Sequence, residues 1–129
     1  MSIEPAVKEL FQGKNFGTVS VNLPSGKIGT TVMWVDADDD HILFNTEVHR
    51  AKFKALEANP EVTITAADSD NPYHYAEVRG RVVSTETGPA AKAHIDSLAK
   101  KYMGLDDYPN PIQTERVIVR VAADQQRVQ

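Results

Sequence analysis

The sequence predicts a mainly β, single-domain fold: an antiparallel barrel of six strands decorated with three helices. Three observations carry this. Six segments have the period-two, β-branched character of strands. Most are joined by short, turn-forming stretches, which suit hairpins better than the long crossovers of a parallel sheet. No linker rich in Gly, Ser or Pro and no internal repeat divides the 129 residues.

The elements follow in order. Residues Glu4 to Gln12 carry Val7, Leu10 and Phe11 at helical spacing, with Gly13 placed to end a helix. Phe16 to Asn22 reads as a strand, Leu23-Pro24-Ser25-Gly26 as a turn and Lys27 to Asp36 as the returning strand. That second strand alternates Ile28, Val32 and Trp34 with Gly29, Met33 and Val35. It offers apolar side chains on both faces, where a one-sided antiparallel strand would show a polar one. Both faces are therefore expected to be covered, one by the barrel interior and the other by a partner subunit or a flat ligand.

Asp36 to Asp40 is an acidic hairpin tip; it lacks the central Gly and distal Glu of a calcium loop. His41 to Thr46 forms the third strand, and a helix from about His49 to Ala58 stops at Asn59-Pro60. Glu61 to Ala67 returns to β structure, Asp68 to Pro72 turns, and Tyr73 to Ser84 is a long strand. Pro89 suits the first turn of a helix that runs to about Met103, with Ala91, Ile95, Leu98 and Tyr102 as its buried stripe. Gly104 ends it, Leu105 to Glu115 is a loop, and Arg116 to Val121 is the last strand.

Composition limits the chemistry. There is no cysteine, which removes disulfides, thiolate nucleophiles and cysteine-ligated metals. A net charge of -4 argues against general nucleic-acid binding, which needs a basic surface. No apolar run reaches the length of a membrane span and the start lacks a signal peptide, so a cytoplasmic protein is expected. The four histidines, His41, His49, His74 and His94, fall on different elements without metal-ligand spacing. Neither a nucleophile elbow nor a glycine-rich nucleotide loop is present. No residue declares itself catalytic.

One segment stands out. From Leu43 to Lys52 an apolar strand passes through Asn45 and Thr46 into a helix that opens with Arg50 and Lys52. The free N–H groups and partial positive charge of a helix start would join those side chains in binding an anion. The same pattern also suits the solvated face of an amphipathic helix whose buried side is Phe53 and Leu56. Tyr73, His74 and Tyr75 similarly suit either an aromatic pocket or ordinary strand packing. Glu77, Arg79 and Arg81 share a face and suit an ion-pair ladder.

The order of segments resembles a known family. Phe16-Gly17-Thr18-Val19, the strand Thr30 to Asp36, Phe44-Asn45-Thr46 with Arg50 and Lys52, Asn71-Pro72-Tyr73 with Glu77 to Arg81, and Lys101-Tyr102 with Tyr108-Pro109 resemble the flavin and deazaflavin oxidoreductases. Their superfamily has the pyridoxamine 5′-phosphate oxidase-like split β-barrel, and the likeness is greatest to members that use the deazaflavin coenzyme F420. It implies a homodimer with cofactor sites at the subunit interface. Arg50 and Lys52, with Asn45 and Thr46, would bind the cofactor phosphate, while Thr30, Thr31, Val32 and Met33 would run beside the ring. Asn71, Tyr73 and Tyr75 would come from the partner subunit, and Tyr73, His74 and Tyr75 are the candidate proton donors. The implied activity is hydride transfer between F420 and a small unsaturated organic substrate. FMN as cofactor, or a non-catalytic F420-binding carrier, are the alternatives. Ile28-Gly29 departs from the Pro-Gln common in close relatives, removing a side chain that would have reached cofactor or substrate.

Overall fold

The computed structural model describes residues 1–129 and contains three helices and one strongly curled sheet of seven antiparallel strands. In chain order these are α1 (Pro5–Gln12), β1 (Gly17–Asn22), β2 (Ile28–Met33), β3 (Val35–Ala37), β4 (Ile42–Glu47), α2 (Ala51–Ala58), β5 (Glu61–Ala67), β6 (Tyr75–Glu86), α3 (Pro89–Met103) and β7 (Arg116–Val128). No helix is long and apolar enough to cross a membrane.

The extra strand is a correction to the six predicted, and it explains how the barrel closes. The sheet order is β2-β1-β5-β6-β7-β4-β3. Strands β2 and β3 therefore lie at opposite edges, yet only Trp34 separates them in sequence. The run Lys27 to Asp36 breaks at Trp34 because the chain leaves its ladder with β1 and joins β4, where Val35 faces Phe44. The local pattern stays β-like throughout, so nothing in it announces the change of partner.

Side chains of α3 brace this seam. The Tyr102 hydroxyl accepts the Val35 N–H (3.1 Å) and donates to the Asn15 carbonyl (2.6 Å). Lys101 Nζ donates to the carbonyls of Val35 (2.5 Å) and Phe11 (3.1 Å). On the other side of the seam β1 approaches so closely that a Cβ on Gly17 would overlap the Val35 side chain. Gly17→Ala is expected to cost about 1–3 kcal/mol through overpacking; an unchanged urea midpoint would show that the seam can relax around a methyl group.

The barrel interior is filled by Val19, Val35, Ile42, Phe44, Ile64, Val78, Val117 and Val119, closed by Val7, Leu10 and Phe11 of α1 and by Phe53 and Leu56 of α2. A second, smaller cluster, Ile95, Leu98 and Tyr102 of α3 with Trp34 and Tyr108, packs outside the barrel. β4 lies between the two, so that Phe44 through Glu47 are all buried.

Several boundaries differ from the sequence reading for identifiable reasons. α2 begins at Ala51 rather than near His49, because residues 47–50 turn first, with the Arg50 N–H on the Glu47 carbonyl (3.0 Å). Asn59 and Gly13 end their helices in extended rather than left-handed conformations. For Asn59 the following Pro60 disfavours helical geometry. Gly104 is the left-handed cap, at φ 73°. β7 runs seven residues past the predicted end at Val121, because β6 pairs with it as far as Val128.

Candidate functional site

At the seam the barrel surface opens into a groove of about 470 Å³. Thr31, Val32 and Met33 of β2 form one wall with Phe16 and Trp34, and Tyr108 and Asn110 of the 104–115 loop form another. Trp34 is stacked on Tyr102 with ring centroids 5.4 Å apart and planes 3° from parallel, and Tyr108 meets its edge at 6.0 Å. Phe16 leans on Tyr102 at 5.5 Å. With Tyr102 stacked behind it and Tyr108 against its edge, the Trp34 indole is held in a fixed plane and can present a flat apolar surface to a ring.

The remaining corner is cationic. Arg50 and Lys52 enter it from the start of α2, and Arg116 enters from the first residue of β7. Arg116 is 8 % exposed; its Nε donates to Asn45 Oδ1 (2.8 Å) and its guanidinium lies 5.2 Å from the Tyr108 ring centroid. The only acidic partner of Arg50 and Arg116 is Glu47, at 3.6 and 3.8 Å. Burial, reinforced by Arg50 and Arg116, pulls the Lys52 ammonium below its ordinary pKa. An anion in this corner would reverse that pull, because opposite charge favours the ammonium form.

Glu47 itself is 2 % exposed. Burial pushes its carboxyl up, but the N–H groups of Thr114 and Gln113, with Arg116, more than offset this and hold it below the usual range. It is thus a carboxylate near neutral pH, and the corner carries three cations against one anion.

The structure brings together Thr31, Val32, Met33, Asn45, Thr46, Arg50 and Lys52 of the residues anticipated from sequence. Thr30 points elsewhere, its hydroxyl 3.2 Å from that of Ser20 on β1. Asn45 lines the groove, but both its amide hydrogens are engaged, by the Ala91 carbonyl (3.0 Å) and His94 Nδ1 (3.1 Å). It places Arg116 rather than offering a free donor. Bonded in this way, neutral His94 carries its proton on Nε2, which is buried without a partner.

Asn71, Tyr73 and Tyr75 do not line the groove of their own chain. Asn71 and Tyr73 are exposed beside the turn before β6, and the Tyr75 hydroxyl accepts from Arg127 (2.6 Å). The candidate proton donor His74 is tied to the Gln129 carbonyl (2.7 Å). A Cβ on Gly29 would meet the Leu23 side chain at 3.2 Å, so a side chain there would face the hairpin turn and not the groove. Lys101 is committed to the seam through the Val35 and Phe11 carbonyls, and Lys54 does not line the groove.

Glu47, Asn110 and Arg116 are the polar groove and anchor residues that sequence reasoning passed over. The available signal was a charged residue at one end of each strand, Glu47 closing β4 and Arg116 opening β7, which pair directly.

A curled antiparallel half-barrel with this groove is the architecture of the flavin-type split-barrel oxidoreductases. The family model for pyridoxamine 5′-phosphate oxidase matches residues 3–129, and the chain belongs to that family. Among solved structures it is similar to an F420 reductase at 28% identity, with a TM-score of 0.85, covering 97% of this chain and 98% of that one. The fold is shared with General Stress Protein 26 of Bacillus anthracis (20% identity, TM-score 0.70, 95% and 90% covered). It is shared too with a conserved hypothetical protein of Mycobacterium tuberculosis (22% identity, TM-score 0.69, 98% and 84% covered). No curated protein sequence matches significantly.

Proposed function

We propose that this protein is a coenzyme F420-dependent oxidoreductase acting on a small unsaturated organic substrate, with the coenzyme in the seam groove. The observation that carries the reading is the pairing, in one groove, of a flat apolar wall with a corner of three cations. The likeness to an F420 reductase over nearly the whole chain supports it.

The residues fit such a ligand. Arg50, Lys52 and Arg116 suit its phosphate, since guanidinium and ammonium groups make strong charge-assisted hydrogen bonds to phosphate oxygens. Backbone groups of Thr31 to Met33, on a strand whose outer edge has no partner, are available to a ring's polar edge. Trp34, Phe16 and Met33 shield the ring from water. Bound there, F420 supplies two-electron hydride chemistry, and the protein's part is to hold, orient and desolvate.

The test is a titration of the purified protein with F420 and, in parallel, FMN, followed optically, then a screen for turnover with reduced coenzyme. F420 should bind, and Arg50→Ala with Lys52→Ala should weaken binding by about 100-fold or more, given about 1.5–3 kcal/mol per charged hydrogen bond. Undiminished binding by the double variant would refute the phosphate assignment. Selective binding of FMN would move the reading to an FMN oxidoreductase, and F420 binding without turnover on any acceptor would favour a carrier.

The reading includes a homodimer. Phe16, Ile28 and Val32 are 55%, 69% and 66% exposed at or beside the edge strand β2, an apolar surface that a second copy would cover. The same assembly would let Asn71, Tyr73 and Tyr75 reach a neighbour's groove. Light scattering at micromolar concentration should give twice the chain mass; a clean monomer rules the shared site out.

A further inference from the structure

The cationic corner and the loop wall of the groove share one anchor. Glu47 Oε1 accepts the N–H groups of Gln113 (2.7 Å) and Thr114 (2.8 Å), at the end of the loop that carries Tyr108 and Asn110. Its Oε2 lies 3.6 Å from Arg50 Nη2 and 3.8 Å from Arg116 Nη1. Those separations exceed direct hydrogen bonds, so the carboxylate draws both guanidinium groups toward the corner without consuming their donors.

The loop has few other ties. Asp96 Oδ1 of α3 accepts the Tyr108 N–H (2.9 Å), the Val48 N–H donates to the Glu115 carbonyl (3.1 Å), and His49 Nδ1 meets the Thr114 hydroxyl (2.8 Å). Tyr108 connects back to the corner through its ring, which lies beneath the Arg116 guanidinium. The route from anion to loop is therefore short: the arginines face Glu47, and Glu47 holds Gln113 and Thr114.

We propose that Glu47 is a positioning residue that couples occupancy of the anion corner to the seating of the 104–115 loop as the opposite groove wall. The proposal rests on the reading of the corner as a cofactor-phosphate site. An anion that fixes Arg50 and Arg116 also fixes the charge facing Glu47, and with it the carboxylate that pins the loop. Conversely, a loop held by Glu47 keeps Tyr108 under Arg116.

Electrostatics alone gives the opposite sign for a simple variant, which makes the proposal testable. Glu47→Gln deletes a negative charge beside an anion site, so a mere charge effect tightens anion binding. A positioning role loosens it, because the guanidinium groups lose what aims them. We expect Glu47→Gln to weaken F420 binding by about tenfold or more, with a smaller loss in an Arg50→Ala background, as residues acting through one another are not additive. In the wild-type protein, saturating F420 should slow hydrogen exchange at the Gln113 and Thr114 amides by about tenfold.

Binding by Glu47→Gln as tight as wild type or tighter overturns the proposal, as does the full loss recurring unchanged in Arg50→Ala. Unaltered exchange at both amides overturns it too, and that measurement decides the matter even if Glu47→Gln fails to fold. If wild-type protein binds neither F420 nor FMN, the underlying site reading falls and this proposal with it. Wild-type binding with an indifferent Glu47→Gln removes the positioning role alone.

Discussion

Arg116→Ala is expected to lower the free energy of unfolding by about 3–5 kcal/mol, the range for breaking a buried ion pair from one side. The loss has two parts. Glu47 keeps its buried charge with only the more exposed Arg50 in range, at 3.6 Å, and Asn45 Oδ1 loses the Nε–H that satisfies it. Arg116→Lys preserves charge but cannot reproduce the fork that reaches Asn45 and Glu47 together, so it should fall between wild type and Ala. Removing both partners, as Glu47→Leu with Arg116→Met, should cost less than the sum of the single changes. Urea unfolding of Arg116→Ala, Arg116→Lys, Glu47→Leu, Arg116→Met and the Glu47→Leu with Arg116→Met combination checks this; Arg116→Ala within about 0.5 kcal/mol of wild type would mean that water replaces the guanidinium freely. On the proposed function, Arg116→Ala also weakens F420 binding by more than about tenfold, given that a charged hydrogen bond contributes about 1.5–3 kcal/mol.

That the corner contains Arg116 at all separates what the sequence discloses from what it conceals. Arg50 and Lys52 were visible because they follow an apolar strand within a few residues, and the structure puts them in the groove beside Asn45 and Thr46. Arg116 joins them only because β7 pairs with β4 in a register that sets Glu47 opposite it. Register of that kind follows from the whole barrel, not from either strand. The stripe Ala91, Ile95, Leu98 and Tyr102 was likewise legible from period 3.6, and all four are buried. What period could not convey is that the Tyr102 hydroxyl would reach across to Val35. The same limit hid the break at Trp34: β2 and β3 have one local character and two different partners, and only closure of the sheet distinguishes them.

The second large effect is expected where that closure is braced. Tyr102 is 6% exposed, stacks on Trp34, and holds the Val35 N–H and the Asn15 carbonyl with one hydroxyl. Tyr102→Ala should cost about 3–5 kcal/mol through lost packing. Tyr102→Phe should cost about 1–3 kcal/mol, because both backbone groups lose a partner where water has little access. The hydroxyl also leaves a signature in alkali. Burial pushes its pKa up from the ordinary 10.0 to about 12. Between those values the unfolded chain has released the phenolic proton while the folded protein retains it. Raising the pH therefore favours unfolding, by about 1.4 kcal/mol per unit for this group. The contribution is complete below pH 10 and lost as pH rises toward 12. Other groups titrate in the same interval, so the informative quantity is the difference between wild type and Tyr102→Phe. Wild type should be the more stable at pH 8, with its advantage shrinking steadily from pH 10 upward as denaturant midpoints are followed. An advantage that stays constant to pH 12 would mean that water reaches the hydroxyl, and that the seam is held by Lys101 and the aromatic stack without it.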